Sequence, residues 1–197
     1  MIVRLTSVNE IDIIEGCKTG KREFQKTLYM RFSAKMLGVC LRYSKSREEA
    51  EDLLQEGFIK VFRNIQHYTA TGSFEGWIRK IMVNTALEAI RKKKIDYHAF
   101  DVSDAEEPQE LFPDVFDKIA VKDLLRIIQD LPIGFKTVFN LYAIEGYQHK
   151  EISDMLGISE STSRSQLTRA RQILQQKIKN QSGAIESLKR KTVESGK

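Results

Sequence analysis

Lys80, Asn84 and Arg91 recur at four- and seven-residue intervals within SFEGWIRKIMVNTALEAIRKKK, residues 73–94. On a helix they share one exposed stripe with Leu87, while Ile78, Ile81, Thr85 and Ala89 turn toward a core. Two cations and an amide in line suit a phosphate backbone and base edges rather than covalent chemistry. Asparagine is mildly unfavourable in mid-helix, which points to a compensating contact. Just ahead of the stripe, His67, Tyr68, Phe74 and Trp77 gather aromatics around the polar loop TATGS. Rings beside a basic stripe suit single-stranded nucleic acid: each stacked base contributes roughly 1–3 kcal/mol while cations follow the backbone.

A second nucleic-acid signal lies in YQHKEISDMLGISESTSRSQLTRARQIL, residues 147–174. A short helix carries Ile152 and Leu156, Gly157 makes a turn, Ile158 plugs a core and Ser159 caps the next helix, which is the layout of a helix-turn-helix. With Leu167 turned inward, Ser163, Ala170 and Leu174 share its side. Ser161, Ser165, Thr168, Arg169 and Gln172 then point outward, with Arg164 on the flank. Arginine can pair bidentately with guanine, glutamine with adenine, and small hydroxyls with phosphates, so this face suits the major groove.

The helix REEAEDLLQEGFIKVFRNI, residues 47–65, presents a different surface. Ser46 and Glu49 form a capping box, and Ala50, Leu54, Phe58, Val61 and Ile65 turn inward. Asp52, Glu56, Ile59 and Arg63 form an outward stripe with Gln55 beside it. Carboxylates around an exposed isoleucine repel DNA and suit a protein partner. The acidic group Glu48, Glu49, Asp52 and Glu56 is the one arrangement that suggests Mg²⁺ and a nuclease, but no nucleophile or histidine-based acid/base pair accompanies it. His67, His98 and His149 are scattered. We therefore expect no enzyme, no metal and no cofactor.

These surfaces need two small cores, which 197 residues can supply. Phe24, Leu28, Phe32, Met36, Leu37, Cys40 and Leu41 mark an earlier amphipathic helix. No β-alternation or internal repeat is visible, and the expected fold is all-α. The net charge of +5 is unevenly spread: residues 76–94 hold six Lys/Arg and one Glu, residues 95–118 eight Asp/Glu and one Lys, and residues 164–191 eight Lys/Arg and one Glu. Two basic blocks flanking an acidic tether suit a polyanion held at two places. The expected organisation is a helical domain at 5–95, an acidic linker at 96–115, a second helical domain at 116–180 whose next helix begins near Pro132, and a frayed basic tail at 181–197. No apolar run approaches the roughly 18 residues that span a bilayer, and no signal-peptide core opens the chain, so a cytoplasmic protein is expected. Cys17 and Cys40 read as reduced structural thiols.

Residues 48–94 resemble region 2, and residues 131–174 region 4, of bacterial sigma factors of the extracytoplasmic function group in the sigma-70 family. DLLQEGFIK and VNTAL are the most specific words, and the likeness covers about residues 10–180. Ile133 and Gly134 depart from the acidic residue often found after LP. The resemblance implies a non-catalytic factor that binds core RNA polymerase, directs it to promoters and opens the DNA. It places Asp52, Gln55, Glu56 and Phe58 on the coiled coil of the largest polymerase subunit. It places Tyr68, Thr71, Ser73 and Phe74 around an extruded minus-ten base, with Lys80 and Asn84 touching the strand; Trp77 and Arg91, from the aromatic group and the basic stripe above, complete the expected minus-ten surface. It places Arg164, Ser165, Thr168 and Arg169 on the minus-35 element and Arg171 on a phosphate. It also implies an anti-sigma factor as partner, and a linker threading toward the RNA exit path. A plain helix-turn-helix regulator is the competing reading; it leaves the first domain without a role.

Overall fold

The apolar spacing of residues 24–41 becomes one long helix because no proline interrupts it and Leu28, Phe32, Met36, Val39 and Cys40 share a buried side. The computed structural model describes residues 9–92 and 121–194, among which there is no strand. The chain divides into two compact units, Met1–Lys94 and Ile95–Lys197. The acidic linker expected at 96–115 lies outside the described residues.

In the first unit, α1 (Glu10–Lys18), α2 (Arg22–Tyr43), α3 (Arg47–Asn64) and α4 (Phe74–Lys92) pack around one core. Helix α1 was not expected from the spacing, yet its boundaries are written in polar residues. Asn9 Oδ1 accepts from the Asp12 backbone N–H at 2.8 Å, and Gly20, at φ +72°, turns the chain into α2. Ser46 caps α3, its hydroxyl accepting from Glu49 N–H at 3.2 Å. The Glu49 carboxylate reaches back one residue further than a capping box requires, to Lys45 N–H at 2.6 Å. A turn at Ile65–His67 ends α3, and the Gln66 side-chain amide donates to the Lys18 carbonyl, tying this corner to α1.

Helix α4 packs against both α2 and α3, so its buried arc is wide: Ile78, Met82, Val83, Ala86, Leu87 and Ile90 are all in the core. Leu87, expected on the exposed stripe, is 1% exposed. Gly57 of α3 allows the close approach of α4, because a Cβ there would lie 2.2 Å from Met82 Sδ. We expect Gly57→Ala to cost the first unit about 1–3 kcal/mol through overpacking, seen as a lower midpoint in thermal unfolding with the helical content below the midpoint unchanged.

Cys17 and Cys40 are buried and unbridged. Burial raises their thiols to about 11 and about 12, so both stay protonated at neutral pH.

The second unit contains α5 (Val121–Gln129), α6 (Ile133–Phe139), α7 (His149–Leu156) and α8 (Glu160–Glu194). Pro132 sits at the N-cap of α6, one residue ahead of the helix it was expected to begin. Helix α6 runs on through a wider π-type turn, Asn140–Ile144, where Glu145 N–H reaches back to the Asn140 carbonyl at 2.9 Å. The expected frayed tail is replaced by helix: α8 continues to Glu194, since no proline follows Leu174 and residues 175–194 are mostly good helix formers.

Candidate functional site

The helix-turn-helix is built by three local devices. Glu151 closes a capping box on α7 by accepting from Gln148 N–H at 2.8 Å. Gly157 takes φ +68°, a left-handed conformation that ends α7 without strain, and its N–H bonds the Ser153 carbonyl at 2.8 Å. Ser159 Oγ then accepts from Thr162 N–H at 3.0 Å and opens α8. Ile152, Leu156 and Ile158 are buried beneath the turn.

Helix α8 turns Ser163, Leu167, Ala170 and Leu174 into the core, as the spacing predicts. Thr162 and Gln166 are buried too, a pair the sequence reading missed. Ser161 and Arg164 are exposed, and Ser165, Thr168, Arg169 and Gln172 are half-buried on the outer face. Arg164 pairs with Glu160 at 2.6 Å, and Arg169 Nη1 donates to Gln172 Oε1 at 3.2 Å. Both arginines are thus aligned along the helix by neighbours that DNA can displace at small cost, since surface pairs contribute little.

Arg171 is placed differently from the phosphate contact expected of it. Its guanidinium lies 5.9 Å from the centroid of the Tyr142 ring, and its Nε is buried without a hydrogen-bond partner. Tyr142, on the π-type turn, stacks on His149 at 4.5 Å, and His149 Nδ1 lies 2.8 Å from Ser163 Oγ. Burial, and then the charge of Arg164, hold the His149 pKa below its usual value. This chain of contacts joins α6, α7 and α8. We expect Arg171→Gln to lower the melting temperature of the second unit by about 4–8 °C, matching the loss of roughly 1 kcal/mol of cation–π contact. The salt slope of duplex DNA binding should not change, whereas losing a phosphate contact would reduce it by about 1.

In the first unit, Ser73 Oγ accepts from Gly76 N–H at 3.0 Å and starts α4. Lys80, Asn84 and Arg91 emerge exposed along that helix. Tyr68 and Trp77 are half-buried, and Thr71 and Ser73 exposed, at its beginning. Phe74 does not join them at the surface. It is 0% exposed, packed edge-on against Phe32 at 5.7 Å and stacked under Trp77 at 5.7 Å and 13°. The ring that was expected to line a base pocket therefore supports the two rings that can do so.

Asp52 and Gln55 are exposed on α3, Glu56 is half-buried, and Ile59 is 50% exposed. Phe58 is 3% exposed and touches Tyr29 at 4.7 Å and Phe62 at 6.1 Å. It belongs to the core, as its periodicity indicates, and supports the outer face of α3 from behind rather than forming it. A shallow groove of about 260 Å³, lined by Tyr29, Leu37, Leu54 and Gln55 among others, opens on this face. Lys60, which the sequence reading passed over, bridges Glu56 at 3.2 Å and Glu88 of α4 at 2.8 Å. Burial acts against its charge, but hydrogen bonds to Glu88 and Glu56 prevail and raise its pKa. The Glu56–Lys60 spacing of four was the available signal.

Among the described residues no cluster of His, Cys, Asp or Glu is arranged to hold a metal ion, and no helix is long and apolar enough to cross a membrane.

The first unit thus carries an exposed stripe of Lys80, Asn84 and Arg91 beside paired rings, and the second a helix-turn-helix. Comparison with known proteins supplies the family. Residues 28–95 match the family model described as Sigma-70 region 2, and residues 122–174 match Sigma-70, region 4. The ECF RNA polymerase sigma factor SigE of Mycolicibacterium smegmatis is 36% identical over 143 residues, covering 69% of this chain and 54% of its own length. The ECF RNA polymerase sigma-E factor of Haemophilus influenzae is 27% identical over 181 residues, 84% of this chain and 93% of that one. A solved structure of the sigma factor RpoE of Bartonella quintana, in complex with the anti-sigma factor NepR, overlays with a TM-score of 0.50 at 18% identity, covering 78% and 96% of the two chains. At that identity it shows a shared fold alone. The chain belongs to the sigma-70 family of RNA polymerase sigma factors, in its extracytoplasmic function group.

Proposed function

We propose that the sigma factor divides its work among three surfaces. The α3 face of Asp52, Gln55, Glu56 and Ile59 docks on the coiled coil of the polymerase's largest subunit, backed by buried Phe58. The loop and first turns of α4, with Tyr68, Thr71, Ser73 and Trp77 leading to Lys80, Asn84 and Arg91, take the separated minus-ten strand. Arg164, Ser165, Thr168 and Arg169 of α8 read the minus-35 duplex. In domain terms, residues 5–95 dock and melt, 116–180 read the upstream element, 96–115 tether the two and 181–197 form a basic extension.

The protein performs no covalent step. Extruding a base costs a few kcal/mol, which stacking and a fitted pocket return, so binding energy drives opening. The observation that carries the reading is the division within the first unit: α3 exposes carboxylates and an isoleucine, while α4 exposes Lys80, Asn84 and Arg91 next to paired rings. One helical face repels DNA and the other attracts it. We also propose an anti-sigma factor as a partner that covers the DNA-binding surfaces, and action in the cytoplasm, where polymerase is.

Run-off transcription with core polymerase on pooled genomic promoter fragments tests the assignment. New starts sharing two upstream motifs are expected when the protein is added. If duplex DNA is shifted but no start appears, the helix-turn-helix regulator reading replaces it.

A further inference from the structure

Among the described residues Ala70 is the one non-glycine residue with a left-handed backbone, φ +56°. That conformation is disfavoured for a residue with a Cβ, and such residues persist where surrounding structure imposes them and gather at ligand-binding loops. What imposes it here is visible. Tyr68 donates its hydroxyl to the Gly72 carbonyl at 2.7 Å, closing residues 68–72 into a ring. Its own ring is fixed against Phe74 at 5.0 Å and Trp77 at 5.3 Å. The far end of the loop is anchored by Ser73, which caps α4. Thr69 and Thr71 hydroxyls lie 3.4 Å apart across the left-handed residue. Among the described residues, no protein group accepts from the backbone N–H of Thr69, Ala70, Thr71 or Gly72. A strained, latched loop thus leaves four backbone donors without a protein acceptor on an exposed segment, beside two hydroxyls that meet each other.

We propose that Tyr68 and Ala70 are positioning residues: the Tyr68 hydroxyl latch and the left-handed turn at Ala70 hold the loop of residues 69–72 in its base-receiving shape before DNA arrives. The inference rests on the minus-ten assignment above. It also reassigns Tyr68, whose hydroxyl is engaged inside the protein and whose ring serves as a wall. Preorganisation matters because a loop that is already ordered loses less entropy when it captures a base. Latching should therefore set how well this sigma factor distinguishes one base from another at the extruded position.

Tyr68→Phe removes the latch and keeps the ring. Ala70→Val makes the left-handed backbone unfavourable, and Ala70→Gly tolerates it. Two measurements on the full chain decide the matter. The first is backbone ¹⁵N relaxation of the free protein. Order parameters near 0.85 are expected for residues 69–72 in the unmutated chain, with a fall below about 0.6 in Tyr68→Phe and Ala70→Val and no change within α4. A loop already mobile in the unmutated chain, or equally rigid in both variants, overturns the proposal. The second is initiation by the reconstituted holoenzyme on a promoter set in which each minus-ten position is varied. Tyr68→Phe and Ala70→Val should flatten discrimination by about tenfold at one position, while Ala70→Gly retains most of it. If Ala70→Gly and Ala70→Val behave alike, the left-handed turn has no such role. Asn84→Ala separates the two levels of the argument: if it initiates normally, the minus-ten assignment itself fails, whereas a defect there beside normal Tyr68→Phe discrimination rejects only the latch.

Discussion

Phe74→Ala is expected to cost the first unit about 3–5 kcal/mol, the range for deleting a fully buried aromatic ring. Phe74 is 0% exposed, and its ring stands between Phe32 on one side and Tyr68 and Trp77 on the other. Removing it opens a cavity beneath both surface rings, and neither can fill it without abandoning its neighbour. For a unit of this size about 1 kcal/mol corresponds to roughly 4–8 °C, so the first unit's transition should fall by well over 10 °C while the second unit's stays in place. Differential scanning calorimetry of the full chain reads both at once. Trp77 is the single tryptophan, so its fluorescence reports the same unit independently. A Phe74→Ala protein of unchanged stability that had lost only single-strand binding would return this ring to direct base contact.

Phe74, Phe58, Leu87 and Arg171 depart from their expected placements for related reasons. Helical spacing gives the angle at which a side chain leaves its helix. It does not say what lies at that angle. On α8 the two coincide, because one face meets the core and the other meets solvent, and Leu167, Ala170 and Leu174 are buried as the spacing predicts. On α3 the same reasoning places Asp52, Gln55 and Ile59 outside and Phe58 inside. On α4 it fails at Leu87. That helix is packed on two sides, and the angle shared with Lys80 and Asn84 is covered further along. Likeness to a family has the complementary weakness. It carries positions across, so Phe58 and Phe74 arrived labelled as contacts, whereas the packing that makes them supports is a property of three dimensions. Arg171 is of the same kind: its partner Tyr142 is presented by a π-type turn that no spacing rule anticipates. Helix α1 was legible in hindsight, from Asn9 at its start and Gly20 beyond its end, but nine residues are too few for periodicity to stand out.

The division among surfaces can be broken from either side. On the proposed assignment, Arg169→Ala should weaken binding to the minus-35 duplex by about 1–3 kcal/mol, or roughly 5- to 150-fold, the range for losing a bidentate guanidinium contact with a base edge. The partner it gives up in the free protein is Gln172 at 3.2 Å; that single bond to one amide oxygen offsets only part of a bidentate contact with a base edge. Core polymerase binding should not change. Glu56→Arg should do the reverse, inverting the charge on the proposed docking face while leaving α8 untouched. Glu56 also meets Lys60 at 3.2 Å, and an arginine there faces a like charge, so some loss arises within the fold. Glu56→Gln separates the two effects, since it removes the ion pair without adding repulsion. If docking depends on the carboxylate, Glu56→Gln weakens core binding by less than Glu56→Arg, and both leave duplex affinity intact. Fluorescence anisotropy on the duplex and competition for core polymerase against an unmutated labelled copy supply the two axes. If the three variants and the unmutated chain fell on one line, with every variant impaired in both assays together, the surfaces would act as one and the partition would be wrong.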